Sequence, residues 1–147
     1  MKIQIIIGHV FTLLLGGLIY VLFRQDTLKM FSWFDDINVS AAISGLRFHT
    51  VPLSSHFPNW FLYSLPDGLW LFSYLSVLLA VWDNVISKHN IHWLLLVPMV
   101  AIFSEIGQLF EIVSGTFDIF DLLFYLLGTV LPILIFTNSK TPRNSTR

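Results

Sequence analysis

The sequence predicts an all-α, polytopic membrane protein: a bundle of four transmembrane helices with a long structured loop between the first and the second. Two observations support this class. Of the 147 residues, 55% are hydrophobic and only 12% are charged, and a soluble domain carries about twice that share of charge. The mean hydropathy is +0.75. No long polar stretch remains to build a second domain, so residues 1–147 are interpreted as one membrane domain.

Four uninterrupted apolar stretches define the predicted spans, because about 20 helical residues cross the hydrocarbon core of a bilayer. The spans are predicted over about 3–23, 65–86, 91–113 and 119–136. The first stretch is long for a signal peptide, and no small-x-small cleavage site follows it, so it is interpreted as an uncleaved anchor. The other segments are an outer loop, residues 24–64, and a polar tail, residues 137–147.

The distribution of lysine and arginine predicts cytoplasmic termini, since cytoplasmic segments carry an excess of these residues. With four spans, five of these cations share the side of the termini: Lys2, Lys88, Lys140, Arg143 and Arg147. The other side holds only Arg24, Lys29 and Arg47. The acidic residues, apart from Asp83, fall on that second side or in the outer half of a span. Any chemistry is therefore expected at the extracytoplasmic face.

The outer loop is rich in Phe, Trp, Leu and Val, which argues against disorder. Residues 27–37 repeat apolar side chains every three residues, a pattern typical of a short amphipathic helix at the membrane interface. A second helical or re-entrant piece is predicted over residues 39–48. Arg47 is one of the few cations near the outer acids, so it is a candidate ligand-binding residue.

Two groups of acids have an interpretation as helix caps. Ser64-Leu-Pro66-Asp67 has the form of a capping box, with proline in the first turn. Asp118-Ile-Phe-Asp121 could start the fourth span in the same way, where carboxylates stabilise the exposed N–H groups and the helix dipole. Capping is favoured for Asp67. For Asp118 and Asp121 capping and ligand binding both stay open, because a cap uses only one carboxylate.

Glu105 is harder to explain as a cap. If the third span ends near Ser114, Glu105 lies about 13 Å inside it, close to the membrane midplane. Gln108 and Glu111 follow at spacings of three, so the three side chains form a stripe along one side of the helix. One interpretation is an interhelical hydrogen bond from Glu105 to Gln108 or a neighbouring helix. The other is a functional site, because an ionisable group in a bilayer is costly.

The motif Glu105-x-x-Gln108, followed by Asp118-x-x-Asp121 and then Gly128, resembles the VanZ-like family of small bacterial membrane proteins. Members of that family usually carry an arginine and an asparagine where this chain has Gly115 and Tyr125. The resemblance implies the inner membrane of a bacterium. Some relatives are linked to glycopeptide-antibiotic tolerance, and no settled reaction accompanies the fold.

Three functions remain open from the sequence. The first is an outer-leaflet site for an envelope lipid, a lipid-linked envelope precursor or a glycopeptide-type ligand. In it, Glu105 and Asp121 are candidate acid–base residues, because two carboxylates in unlike environments suit such chemistry. The candidate ligand-binding residues are Gln108, Asp118, Glu111, Asp67 and Arg47. The second is an assembly subunit whose polar stripe packs helices or receives another membrane protein, and the third and weakest is a proton or ion carrier.

Several functions are disfavoured. The net charge of −1 offers no basic face for nucleic acid, and the absence of cysteine removes thiolate metal sites and cysteine nucleophiles. The sequence contains no zinc motif, nucleophile elbow or phosphate-binding loop. The carboxylates could hold a divalent cation, which prefers oxygen ligands, but nothing indicates one, so the cofactor stays undefined and catalysis is permitted without being indicated.

Overall fold

All regular elements in the computed structural model, which describes residues 1–137, are helices. The helices are α1 Gln4–Phe23, α2 Lys29–Asp36, α3 Ser40–Thr50, α4 Asn59–Val81, α5 Ile91–Leu109 and α6 Ile119–Phe136. A 3₁₀ turn, Val51–His56, connects α3 to α4. Among these, α1, α4, α5 and α6 are long and apolar enough to cross a membrane. The all-α class and the four candidate spans agree with the prediction; residues 138–147 of the predicted tail lie outside the described range.

The bounds of the second and third spans differ from the prediction. α4 begins at Asn59, directly after Pro58, and continues through Pro66. Transmembrane helices tolerate an internal proline, and α4 is long and apolar enough to be one. It ends at Val81, since Asp83 and Asn84 adopt positive φ angles of 50° and 61°. α5 ends at Leu109 and not near 113. The first and fourth helices lie where they were predicted.

α4 is the central helix and packs against α1, α5 and α6. Its closest approach is to α6, where the backbones of Gly68 and Gly128 meet. A Cβ added to Gly128 would overlap the Gly68 carbonyl oxygen, and a Cβ added to Gly68 would lie 2.9 Å from the Phe124 carbonyl oxygen. Small residues allow helices to approach in this way in membranes. This crossing fixes the start of α6 beside the first half of α4.

Polar side chains join α1 to α4 in the other half of the bundle. His9 Nδ1 lies 2.7 Å from Ser73 Oγ, and the Ser73 hydroxyl donates to the His9 carbonyl at 3.1 Å. Gln4 Nε2 donates to the Ser76 carbonyl at 3.0 Å. These polar groups form hydrogen bonds with one another inside the interface, because a buried polar group without a partner is costly. They are structural contacts between two helices.

The outer loop is structured and packs onto the end of α1. α2 and α3 lie within or close to the two helical segments expected in this loop. Arg47 Nη1 donates to the Val21 carbonyl at 2.6 Å, and its guanidinium lies 4.7 Å from the centre of the Phe31 ring. The loop thus covers the same end of the bundle where α1 and α5 finish and α4 and α6 begin.

Candidate functional site

Charged side chains from three helices, and one from the residue after α1, meet at that end of the bundle. We call this group the carboxylate site: Asp67 on α4, Glu105 on α5, Asp118 and Asp121 at the start of α6, with Arg24 and Tyr125 beside them. These residues are close together because successive long helices run in opposite directions, so the end of one lies beside the start of the next. Glu105, Asp67, Asp118 and Asp121 were all candidates from the sequence, and the structure places them together.

Asp67 is not a helix cap. α4 begins at Asn59, so Asp67 lies about two helical turns inside the helix, and Ser64 is fully buried. The capping-box interpretation of Ser64-Leu-Pro66-Asp67 was therefore wrong. The Asp67 carboxylate instead lies 3.9 Å from the Arg24 guanidinium and next to the Tyr125 side chain. It needs those partners because a carboxylate away from water is costly without a counter-charge.

Arg24 is, with Tyr125, one of two residues of the carboxylate site that the sequence did not assign to it. Its Nη2 donates to the Tyr63 carbonyl at 3.1 Å, and its guanidinium carbon lies 5.0 and 4.9 Å from the ring centres of Tyr20 and Tyr63. Arginine is suited to this position because its planar cation both stacks on aromatic rings and donates hydrogen bonds. Its place just after the first apolar stretch was the available signal, but the sequence did not show that α4 starts early enough to bring Asp67 beside it.

Glu105 lies near the end of α5 and not at the middle of a span. Since α5 ends at Leu109, Glu105 is about 6 Å from the helix end, and the predicted depth of about 13 Å was wrong. The residue is only 3% exposed, and its Oε1 accepts a hydrogen bond from the Asp118 backbone N–H at 2.6 Å. This contact ties the end of α5 to the start of α6. Of the two hydrogen-bond partners expected for Glu105, Gln108 or a neighbouring helix, the structure shows the neighbouring helix, since Asp118 is the N-cap of α6.

Asp118 and Asp121 have different roles. Asp118 is the N-cap of α6, because its Oδ1 accepts from the Phe120 backbone N–H at 2.8 Å. Asp121 lies in the first turn, and its Oδ1 is buried with no hydrogen-bond partner in the described part of the chain. A buried acceptor without a partner is uncommon. One of the two aspartates is thus explained by capping, and the other is not.

The remaining candidates lie apart from this centre. Gln108 packs against Gly115, where an added Cβ would be 2.7 Å from the Gln108 Cδ. Glu111 follows the end of α5 with a φ of 57° and is exposed, so the predicted helical stripe stops before it. Arg47 contacts the end of α1 and Phe31. Among residues 1–137, no hydrogen bond or ion pair joins Glu111 or Arg47 to the carboxylate site.

A cleft of about 250 Å³ opens between α4, α5 and α6 and meets the edge of the site at Asp67 and Tyr125; Glu105, Asp118 and Asp121 do not line it. Asp67 and Tyr125 provide its polar groups, and its apolar walls include Val97 and Ala101 of α5. Within the described residues, no group of three or more His, Cys, Asp or Glu side chains is arranged to hold a metal ion. The site combines several carboxyl groups with a single guanidinium, so it is suited to a ligand that donates hydrogen bonds or carries positive charge.

Comparisons with protein-family models, with curated proteins and with solved structures find no match to this chain.

Proposed function

We propose that this chain is a VanZ-like multi-pass protein of the bacterial cytoplasmic membrane. Its carboxylate site would lie at the extracytoplasmic side and recognise an envelope lipid, a lipid-linked envelope precursor or a glycopeptide-type ligand. The observation that carries the proposal is the buried, unpartnered Oδ1 of Asp121 in the same site as Asp67 and Glu105. Such an oxygen is costly unless a ligand donates to it. A cleft between helices reaches this site at Asp67 and Tyr125.

The protein partners of each carboxylate suggest how the roles divide. Arg24 is the counter-ion of Asp67, and a backbone N–H occupies Glu105 Oε1. Asp121 is left to accept an ammonium, amide or hydroxyl group of the ligand. In this arrangement Glu105 is a positioning residue, because it fixes the start of α6 and so the location of Asp121. The cleft walls would hold an apolar part of the same ligand.

Asp121→Asn is expected to abolish function while leaving the yield of folded protein near normal, because Asp121 Oδ1 has no protein donor to lose. The measurement is the growth of cells expressing each variant over graded concentrations of a glycopeptide antibiotic, beside the folded yield in detergent. Asp118→Asn is the matched control: asparagine caps helices as well as aspartate, so both readouts should persist. Equal tolerance in the two variants would contradict the assignment of Asp121, and no tolerance from the unmodified protein would exclude a glycopeptide-type ligand.

A second candidate function is that of an assembly subunit without chemistry. The Glu105–Asp118 contact favours it, because there a carboxylate serves to join two helices. Under this function Asp121 would receive a cation from another membrane protein. It predicts that Asp121→Asn releases a co-purifying partner protein, whereas the ligand-site function predicts no such partner.

The proposed orientation can be tested by thiol labelling, since the chain has no native cysteine. Ser55 lies in the outer loop and Ser87 between α4 and α5, and both are exposed. A membrane-impermeant maleimide should label Ser55→Cys in intact cells and Ser87→Cys only after permeabilisation. The reverse pattern would place the carboxylate site at the cytoplasmic side.

A further inference from the structure

A second cleft, of about 500 Å³, lies in the outer loop away from the carboxylate site. We call it the loop cleft. Ser40, Ser44 and Arg47 line it from α3, and Asp35 of α2 and Asp26 line it from the segment after α1. The hydroxyl and guanidinium groups thus come from α3, and the two carboxylates come from α2 and the segment before it. The cleft therefore contains a cationic group and two anionic groups.

The opposite charges of the loop cleft do not neutralise one another. Among residues 1–137 the ion pair within contact distance is Arg24–Asp67, and neither Asp26 nor Asp35 pairs with Arg47. One N–H of the Arg47 guanidinium, on Nη1, donates to the Val21 carbonyl. A guanidinium has five N–H donors, so others remain for a ligand. Charges that share a cleft without contact leave room for a ligand with charges of both signs.

The position of the loop cleft indicates a lipid. The candidate spans end at Phe23 and start again at Asn59, so α2 and α3 lie just beyond the hydrocarbon, at the level of lipid head groups. Phe48 and Val51, which also line the cleft, are 76% and 42% exposed. Exposed apolar side chains at that level suit contact with the glycerol and upper acyl region of a lipid.

We propose that the loop cleft binds the head group of a phosphoethanolamine lipid. The phosphate would contact Arg47 and the hydroxyls of Ser44 and Ser40, which precede Arg47 on the same side of α3 at spacings of three and four residues. The primary ammonium would donate hydrogen bonds to Asp26 and Asp35. Phosphocholine suits the cleft less well, because it has no N–H donor and Arg47 already covers the Phe31 ring face that could hold a quaternary ammonium. A phosphoglycerol lipid offers no cation to the two carboxylates.

The test titrates the purified full chain with phosphoethanolamine, phosphocholine and phosphoglycerol lipids of identical acyl chains and counts bound lipid by native mass spectrometry. The phosphoethanolamine lipid should bind about fivefold or more tightly than the phosphoglycerol lipid, on the strength of charge-assisted hydrogen bonds at a partly exposed site. Asp35→Asn should remove most of this preference. Asp36→Asn, the matched control, makes the same change on an adjacent exposed residue of α2 that does not line the cleft, and should keep it.

Two further arms separate the alternatives. Asp35→Asn should keep the antibiotic tolerance that Asp121→Asn abolishes, because Asp35 lines the loop cleft and not the carboxylate site, so the two sites can fail independently. Soluble glycerophosphoethanolamine should compete only weakly, because it lacks the acyl region that Phe48 and Val51 contact. Equal binding of the phosphoglycerol lipid, an equal effect of Asp35→Asn and Asp36→Asn, or full competition by the soluble head group would each overturn the proposal.

Discussion

Replacing Gly128 with alanine is expected to disrupt the packing of α4 against α6 and to lower the free energy of unfolding by about 3 kcal/mol, the upper range for overpacking. The added Cβ would overlap the Gly68 carbonyl oxygen and would lie 3.0 Å from the Leu71 Cβ. A backbone carbonyl inside an α-helix cannot rotate away, because it is part of the helical hydrogen bonding. The helices must therefore separate, and the start of α6 must move with them.

Gly17→Ala is the matched control for this prediction. A Cβ at Gly17 would meet nothing within 4 Å, and alanine favours a helix over glycine by about 1 kcal/mol. The control should be neutral or slightly stabilising. Both variants would be compared by thermal unfolding in detergent, followed by circular dichroism, and by size-exclusion yield. If Gly128→Ala behaves like Gly17→Ala, the close α4–α6 crossing is incorrect.

The Gly68–Gly128 crossing shows what hydropathy can and cannot predict here. Apolar length was sufficient to predict four helices long and apolar enough to cross a membrane, since about 20 apolar residues are needed for a span. It does not show which faces meet. Gly128 could be singled out through its place in the VanZ-like motif and as a glycine that would permit a close helix approach, but neither signal identifies its partner. Gly68 gave no signal, because its role depends on the register between two helices distant in sequence.

Local signals were misleading where tertiary structure overrode them. Ser64, Pro66 and Asp67 have the residue types of a helix start, but α4 begins at Asn59 and carries all three inside. Asp118 has the same kind of signal and is a true cap. The difference lies in the preceding residues: apolar sequence precedes Ser64 and extends the helix backwards, whereas the chain before Asp118 has just turned at Gly115, which has a φ of 141°.

Only part of the carboxylate site could be predicted, because only some of its residues are close in sequence. Glu105, Asp118 and Asp121 are close in sequence, and a single turn between two antiparallel helices brings them together. Arg24 and Tyr125 could not be assigned to the site, because their contact with Asp67 depends on the start of α4 and on the rotation of α6. Arg47 was assigned to the site on charge alone, and its hydrogen bond to Val21 places it elsewhere.

Arg24→Met is expected to destabilise the protein by about 2 kcal/mol, because it removes the counter-ion of a partly buried carboxylate together with a hydrogen bond to the Tyr63 carbonyl. The two side chains of the pair are 26% and 21% exposed, and solvent screening therefore keeps the loss below that of a fully buried pair. Lys29→Met is the control: Lys29 is an exposed cation of the same loop, and its loss should change stability by less than about 0.5 kcal/mol.

The double variant Arg24→Met/Asp67→Asn tests whether Arg24→Met loses stability through the uncompensated charge of Asp67 or through other contacts of Arg24. If Asp67 is destabilising only when its charge is uncompensated, Asp67→Asn alone should have a small effect, and the double variant should recover much of the stability lost in Arg24→Met. Additive effects in thermal unfolding would instead assign the loss to the Tyr20 and Tyr63 contacts of Arg24. Recovery would also separate the carboxylates by role. Asp67 would then be an acid neutralised within the protein by Arg24, so that Asp121 remains the carboxylate free to accept a ligand. In that case Arg24→Met should lose stability, Asp67→Asn should change stability little, and Asp121→Asn should lose function.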